Sequence, residues 1–409
     1  FGGGGNNGPN VMAGDYRVTL VVDGKEVATK TVRVGGDKDM PMTDAERKTW
    51  HDTALDLHDM QRVANNAAEA VNQLATQLSA AEALVKSASS APCLLLHRTG
   101  DGERLAQTLG ALCAGTFHDA TMHTPTDVTE RALKLVESVQ VDCTVALGGG
   151  STTGLGKAIA LRTDLPQIVI PTTYAGSEAT AIIGETKDGV KITQRTLKVL
   201  PEVIVYDVDL NMTLPPSLTA TSGMNAIAHA VEALYAQDQN PVTSLMAEEG
   251  IRALARALPI IVERPNDPDA RSDALYGAWL CGTCLNAVGM ALHHKLCHTL
   301  GGSFDLAHAE THTVVLPHAT AYNAAAAPLA MQRIAAALGV RDAAQGLHEL
   351  ARRLGAPTSL EALGMTADGI DKATDLAVAN PYWNPRPIDR AGIRRLIDDA
   401  FHGRAPQGC

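Results

Sequence analysis

Two stretches late in the chain carry histidines at spacings that chemistry can use. In SGMNAIAHAVEALYA, Asn225 and His229 stand four residues apart and so share one face of a helix. In GMALHHKLCHTLGGSFDLAHAETH, His294 and His298 are again four apart, and His308 and His312 follow a Gly-Gly turn. A lone histidine is ordinarily a satisfied polar residue, but five at these spacings mark a functional site. Imidazoles suit zinc or iron(II), and Asn225, His229, His294 and His308 make a possible ligand set. Its weak member is Asn225, because a neutral amide brings no charge to hold a divalent cation. The metal-free alternative has histidines polarise a carbonyl and deliver a proton. His293 is adjacent to the pattern, points off its face, and is left out of the set.

A second kind of chemistry is suggested by VALGGGSTTGLGKAIAL, Val145 to Leu161, where an apolar run meets three glycines and a helix-like stretch. It is not a Walker loop: Ser151 stands where the first glycine belongs, and Ala158, not a hydroxyl, follows Lys157. Nor does it complete GxGxxG, since Gly148 and Gly150 fit but Thr153 takes the third place. The physics of anion binding still holds: glycines at a strand-to-helix turn bring backbone N–H groups close, and the helix N-terminus adds partial positive charge. IPTTYAGSEAT, Ile170 to Thr180, leaves another strand with five hydroxyl side chains. Two such loops at the carboxyl ends of parallel strands are what a pyrophosphate-bearing ligand needs.

The elements that must position these residues read in three parts. From Pro92, buried strand patterns such as CLLL and DCTVALG alternate with helices such as ERALKLVESVQ, the signature of a parallel sheet wound with helices. After Leu214-Pro215-Pro216 the strand patterns stop and nearly everything reads as helix. This gives an α/β dinucleotide-binding domain over 92–212 and an all-helical domain over 213–409. Residues 1–91 differ: DYRVTLVVDGKEVATKTVRV reads as a hairpin turning at Asp23-Gly24, and a capping box at Thr43–Glu46 opens a helix over about 44–87. His51 and His58 fall on its solvated face.

Composition narrows the classes. Of 409 residues, 45% are hydrophobic and only 3% aromatic, so Ala, Leu and Val do the packing, in keeping with α/β and helical architecture. A net charge of −11 argues against nucleic acid as a partner. No apolar run reaches membrane-spanning length and no signal peptide is visible, and the FGGGGNNGPN start lacks a methionine and reads as internal to something longer. Seven scattered cysteines suggest reduced thiols and a cytoplasmic location. The CGTC at Cys281–Cys284 lies in a helical stretch with no strand before it, so packing is the expected role.

Taken together, GGGSTTGLGKAIAL, IPTTYAGSEAT, SGMNAIAHAVEALYA, LHHKLCHTLGG, AHAETHTVVLPHA and NPRP resemble the maleylacetate reductases, a branch of the iron-containing alcohol dehydrogenase family, over about residues 92–409. The resemblance implies an N-terminal nucleotide-binding domain and a C-terminal helical domain with the active site between them. It implies that Gly149, Gly150 and Ser151 hold pyrophosphate, that Thr172, Thr173 and Ser177 form the second nucleotide loop, and that Lys191 approaches the ribose. His229, His294, His298 and His308 are then the catalytic candidates. Where the wider family holds metal with an Asp and three His, Asn225 takes the place of the Asp, so metal is expected not to be required. Residues 1–91 resemble the C-terminal tail of sortilin or BNR-type propeller proteins and stand where the family's first β segment is missing.

The implied reaction is NADH- or NADPH-dependent reduction of the C=C bond of maleylacetate to 3-oxoadipate in aromatic-compound catabolism, carried out by a homodimer. Lys295 and Arg386 are candidates to meet the dianionic substrate. No carboxylate follows CLLL before Asp101, and Arg98 there could meet a 2′-phosphate or simply face solvent, so NADPH stands open beside NADH. The rivals are a metal-dependent alcohol dehydrogenase of the same family and a non-catalytic fusion with an incomplete cofactor domain.

Overall fold

The computed structural model describes residues 14–22, 25–34, 43, 92–187 and 190–407. The chain separates into two compact units, 1–86 and 87–409. In the first, β1 (Gly14–Val22) and β2 (Lys25–Val34) pair antiparallel, with Val22 opposite Lys25 and Gly14 opposite Val34. That is the expected hairpin, although its turn, the capping box beyond Thr43, the helix over 44–87, His51 and His58 lie outside the described residues.

The second unit begins with β3 (Cys93–Leu96), α1 (Gly100–Leu109), β4 (Cys113–Phe117), α2 (Thr126–Val139), β5 (Cys143–Gly148), α3 (Gly150–Thr163) and β6 (Gln167–Pro171). All four residues of β3 are buried, as a strand covered on both faces requires. The α2 helix buries Val128, Ala132 and Val136 at four-residue steps and stops where Gln140 turns left-handed. A ribbon of β7 (Ile182–Lys187) and β8 (Val190–Arg195) follows, then the short β9 (Val203–Ile204). The sheet runs β4-β3-β5-β6-β9, parallel throughout. Its strand order reverses between β3 and β5, and ligands of such sheets bind at the carboxyl ends beside that reversal.

From α4 (Pro216–Ala233) onward the described chain is helical: α5 (Pro241–Glu263), α6 (Pro268–Ala287), α7 (Leu292–Phe304), α8 (His308–Asn323), α9 (Pro328–Leu338), α10 (Ala343–Arg353), α11 (Gly369–Ala379) and α12 (Arg390–Phe401). Proline at the first helical position and an Asn240 or Asp267 side chain accepting from the third residue start α5 and α6. Every residue of α4 from Thr219 to Ala233 is buried, so this helix is the axis of the unit and its polar side chains meet either other protein groups or the cleft described below. No single helix among the described residues is long and apolar enough to cross a membrane.

The CGTC stretch has a steric role. Cys281 and Cys284 are buried in α6, and burial pushes both thiols up, Cys284 to about 12. Between them, Gly282 lies so close to the loop after β6 that a Cβ there would stand 2.4 Å from the Gly176 carbonyl oxygen. Gly176 itself is left-handed, with φ 76°.

Candidate active site

A cleft of about 500 Å³ separates the sheet's carboxyl edge from the helical half. On the sheet side, α3 begins directly at the glycine turn. A Cβ on Gly149 would strike the Thr173 methyl at 2.8 Å, and Thr172 N–H donates to Gly148 O at 3.0 Å. The two predicted loops are thus laced to one another. Gly150, Ser151, Thr173 and Ser177 face the cleft, while Gly149 and Thr172 shape it from behind. The Ser177 hydroxyl is buried without a partner, a polar atom left for a ligand. Lys191 lies on β8 opposite Thr186, and its side chain is outside the described residues.

Lys157 explains why the Walker comparison fails. Its ammonium is buried and reaches Ser177 O and Thr180 O at 2.6 Å, and Thr180 Oγ1 and Ile182 O at 2.9 Å. It fastens the second loop instead of presenting charge to a phosphate. Burial pulls it down to about 7, opposed by the nearby Glu178. Behind the same loop, the buried Arg271 donates to the Tyr174 hydroxyl at 3.2 Å and to Leu214 O at 2.9 Å.

On the helical side, α4 presents Asn225, His229 and Glu232 along one face, and α7 meets it with His294 and His298. His229, His298, His308 and Asn225 line the cleft. His294 stands behind His229, their ring centroids 5.0 Å apart. Glu232 is fully buried and accepts three hydrogen bonds of 2.7 Å, from Ala291 N, His293 N and His294 Nδ1. It fixes both the start of α7 and the imidazole of His294. The His298 ring is held from the other side by the Tyr382 hydroxyl, 3.1 Å from Nδ1, and Lys295 Nζ sits 5.7 Å above the Tyr382 ring. Arg386 is not a cleft residue: its guanidinium stacks on the Tyr322 ring at 4.0 Å and donates to Tyr322 O. Glu232, Tyr382 and Lys157 are absent from the set read from the sequence. The first was within reach, since Asn225, His229 and Glu232 follow one another at four and three residues on α4.

The tautomers of the histidine pair can be worked out. His294 Nδ1 faces a carboxylate and therefore donates, which leaves a lone pair on Nε2. His229 Nε2 faces the Ala175 carbonyl at 3.2 Å and therefore donates, which leaves a lone pair on Nδ1. These two lone pairs meet at 2.9 Å. Such a contact needs a cation between the nitrogens. On His229 a proton is disfavoured, because burial, and then His294, hold it down to about 3. Asn225 Oδ1 is also buried without a partner. Two inward lone pairs, an orphan amide oxygen and a carboxylate behind one imidazole fit a divalent metal. The negative charge that Asn225 does not supply is supplied by Glu232, one shell further out.

The comparisons with known proteins agree. Residues 64–208 match the iron-containing alcohol dehydrogenase model, and residues 219–401 match the C-terminal model of the Fe-containing alcohol dehydrogenase family. The chain belongs to the iron-containing alcohol dehydrogenase family. Within it, the chain is 58% identical over 311 residues to a maleylacetate reductase of Rhizobium sp. (strain MTP-10005), covering 76% of this chain and 88% of that protein. The crystal structure of maleylacetate reductase from that strain superposes with a TM-score of 0.74 at 57% identity, covering 77% of this chain and 91% of that one. An iron-containing alcohol dehydrogenase of Corynebacterium glutamicum gives 0.73 at 40%, covering 79% and 91%. The expected fold is therefore the observed one, and the chain is an oxidoreductase. Two expectations are corrected. Family membership implies iron, and the lone-pair geometry accommodates it, so the reading that metal is not required is overturned. The likeness of residues 1–91 to a propeller tail finds no support, and the family match already begins at 64.

Proposed function

We propose that the chain reduces the carbon–carbon double bond of maleylacetate to 3-oxoadipate with NADH or NADPH. The observation that carries this reading is the juxtaposition in one cleft of an anion-binding loop pair, Gly150, Ser151, Thr173 and Ser177, with His229, His298, His308 and Asn225. The first set is suited to a cofactor's pyrophosphate, the second to a carbonyl. Kinship to maleylacetate reductases names the substrate. Asn225, His229, His294 and His308 would hold the metal, which as a Lewis acid polarises the ketone oxygen.

The chain's own groups do the rest. The loops after β5 and β6 fix the cofactor so that its hydride faces the far carbon of the double bond. Hydride addition there leaves negative charge on the conjugated ketone oxygen as an enolate, and groups placed beforehand on the helical side stabilise it where it develops. His298, oriented by Tyr382, delivers the proton to the adjacent carbon, and NAD(P)+ leaves. Lys295, beside the Tyr382 ring that orients His298, is the group assigned to meet a substrate carboxylate. Arg98 is exposed just beyond β3, where it would reach a 2′-phosphate, which favours NADPH. A homodimer and a cytoplasmic location complete the reading, the latter supported by six described cysteines that are all free thiols.

The test is NAD(P)H oxidation with fresh maleylacetate, using protein stripped of metal and then given iron(II). Turnover restored by iron, with 3-oxoadipate as product, is expected. Turnover of simple aldehydes and none of maleylacetate would move the chain to the alcohol dehydrogenases, and no turnover of either would refute the enzyme reading.

A further inference from the structure

Behind the cleft, in a core otherwise built from Leu292, Leu296, Leu300 and Val315, lie two imidazoles and a thiol that the reaction above does not use. His293, Cys297 and His312 are each at most 1% exposed. His293 and Cys297 are one turn apart on α7, and His312 comes from α8. His293 Nε2 is 3.0 Å from His312 Nδ1 and 3.7 Å from Cys297 Sγ, and one ligand atom from each of the three falls within 4.8 Å of the others.

We propose that His293, Cys297 and His312 form a second metal site, separate from the cleft set, for a borderline-soft divalent cation of the zinc class. Zinc binds imidazole nitrogen at about 2.0–2.1 Å and thiolate sulfur at about 2.3 Å. A tetrahedral ion therefore sets nitrogen–nitrogen and nitrogen–sulfur edges of roughly 3.3 and 3.6 Å, close to the two observed spacings.

Both imidazoles are held neutral by burial, which is the form that ligates. The thiol is pushed up by burial and then by Glu232, so it ionises only when a cation takes the place of its proton. The step is an exchange: the metal–sulfur bond forms, the S–H bond breaks, and one proton leaves to solvent. The Glu232 charge that raises the thiol also favours a cation. A cavity of about 180 Å³, bordered by Cys297, His298, Asp305 and His308, gives the ion a path and leaves room for a water as fourth ligand.

The probe is cobalt(II) alone, added to the EDTA-stripped full-length chain. A thiolate-to-cobalt charge-transfer band in the near ultraviolet is expected, with two equivalents bound. Cys297→Ser should remove the band and one equivalent. Asn225→Ala should remove the other equivalent and keep the band, because the cleft set has no sulfur. His312→Gln, which spares the thiol, should keep a shifted band and weaken cobalt binding tenfold or more, with far-ultraviolet circular dichroism unchanged. Absence of the band, or its survival in Cys297→Ser, would overturn the proposal. So would its loss in Asn225→Ala, which would assign the sulfur to the cleft metal.

Discussion

Glu232→Gln isolates the carboxylate on which the proposed centre depends. The change keeps the volume and one oxygen of a fully buried side chain. In the wild type, Oε2 serves both Ala291 N and His294 Nδ1, while Oε1 serves His293 N. The glutamine oxygen does least harm in the Oε2 position, which turns the amide NH2 against the His293 N–H. One bond to a charged acceptor is lost, worth about 1.5–3 kcal/mol, and one buried donor is left unpaired at about 1–3 kcal/mol. The sum is roughly 2.5–6 kcal/mol. At about 2–4 °C per kcal/mol for domains of 150–250 residues, and less for larger ones, the melting temperature should fall by roughly 5–20 °C. His294 keeps an oxygen acceptor at Nδ1 but loses the carboxylate charge behind it, so affinity at the cleft metal should drop about 10–100-fold. Differential scanning calorimetry of the stripped protein reads the first effect, and metal titration reads the second. A variant that melts within about 1 °C of wild type and holds iron or cobalt equally well would refute the assignment of His294 as a ligand backed by Glu232.

Two other perturbations test the frame around the site. Burying the Lys157 charge costs of order 5 kcal/mol, judged from its fall from 10.5 to about 7, and its bonds to the second loop return roughly 1.5–3 kcal/mol each. Four such bonds exceed that cost by roughly 1–7 kcal/mol, so Lys157→Met should melt below wild type and bind NAD(P)H at least tenfold more weakly, and an unchanged Kd by fluorescence titration would show that the loop needs no such anchor. Burial holds His318 at about 4, well below its ordinary 6.5. Because the unfolded chain takes up the proton first, this residue contributes nothing to pH dependence above about 6.5 and removes stability as pH falls from there to about 4, up to roughly 3 kcal/mol. Urea unfolding between pH 4.5 and 7 should show a flatter profile for His318→Asn, and an identical slope would dismiss the effect.

Much of this fold was legible because its signals were local. The buried run CLLL, the glycine turn and the switch to helix after Pro216 each depend on neighbours in sequence, and each stands where periodicity and turn chemistry put it. The histidines on α4 and α7 were found by the same four-residue rule. What periodicity could not supply was the hydrogen-bond accounting. Lys157 binds carbonyls more than twenty residues away, and Glu232 serves residues about sixty positions on, so neither role leaves a mark in a local pattern. The question of metal turned on this. From the sequence, Asn225 is a missing charge. In three dimensions, two tautomers are locked so that their lone pairs collide, and the missing charge stands behind one of them.

The contact of Gly176 with Gly282 also bears on how ligands come and go. It joins the loop after β6, proposed above for the cofactor, to the back of α6 with no side chain between. Ala181 N to Asn286 Oδ1 at 2.9 Å and Arg195 to Asn286 O at 2.8 Å sew the same seam a few residues further along. Opening by rotation would have to tear this seam, which combines a glycine–glycine backbone contact with hydrogen bonds from the Asn286 and Arg195 side chains. The two walls of the cleft are one mechanical piece along that line. Any side chain at position 282 would act as a wedge that drives the loop after β6 away from α6 and displaces both walls of the cleft together.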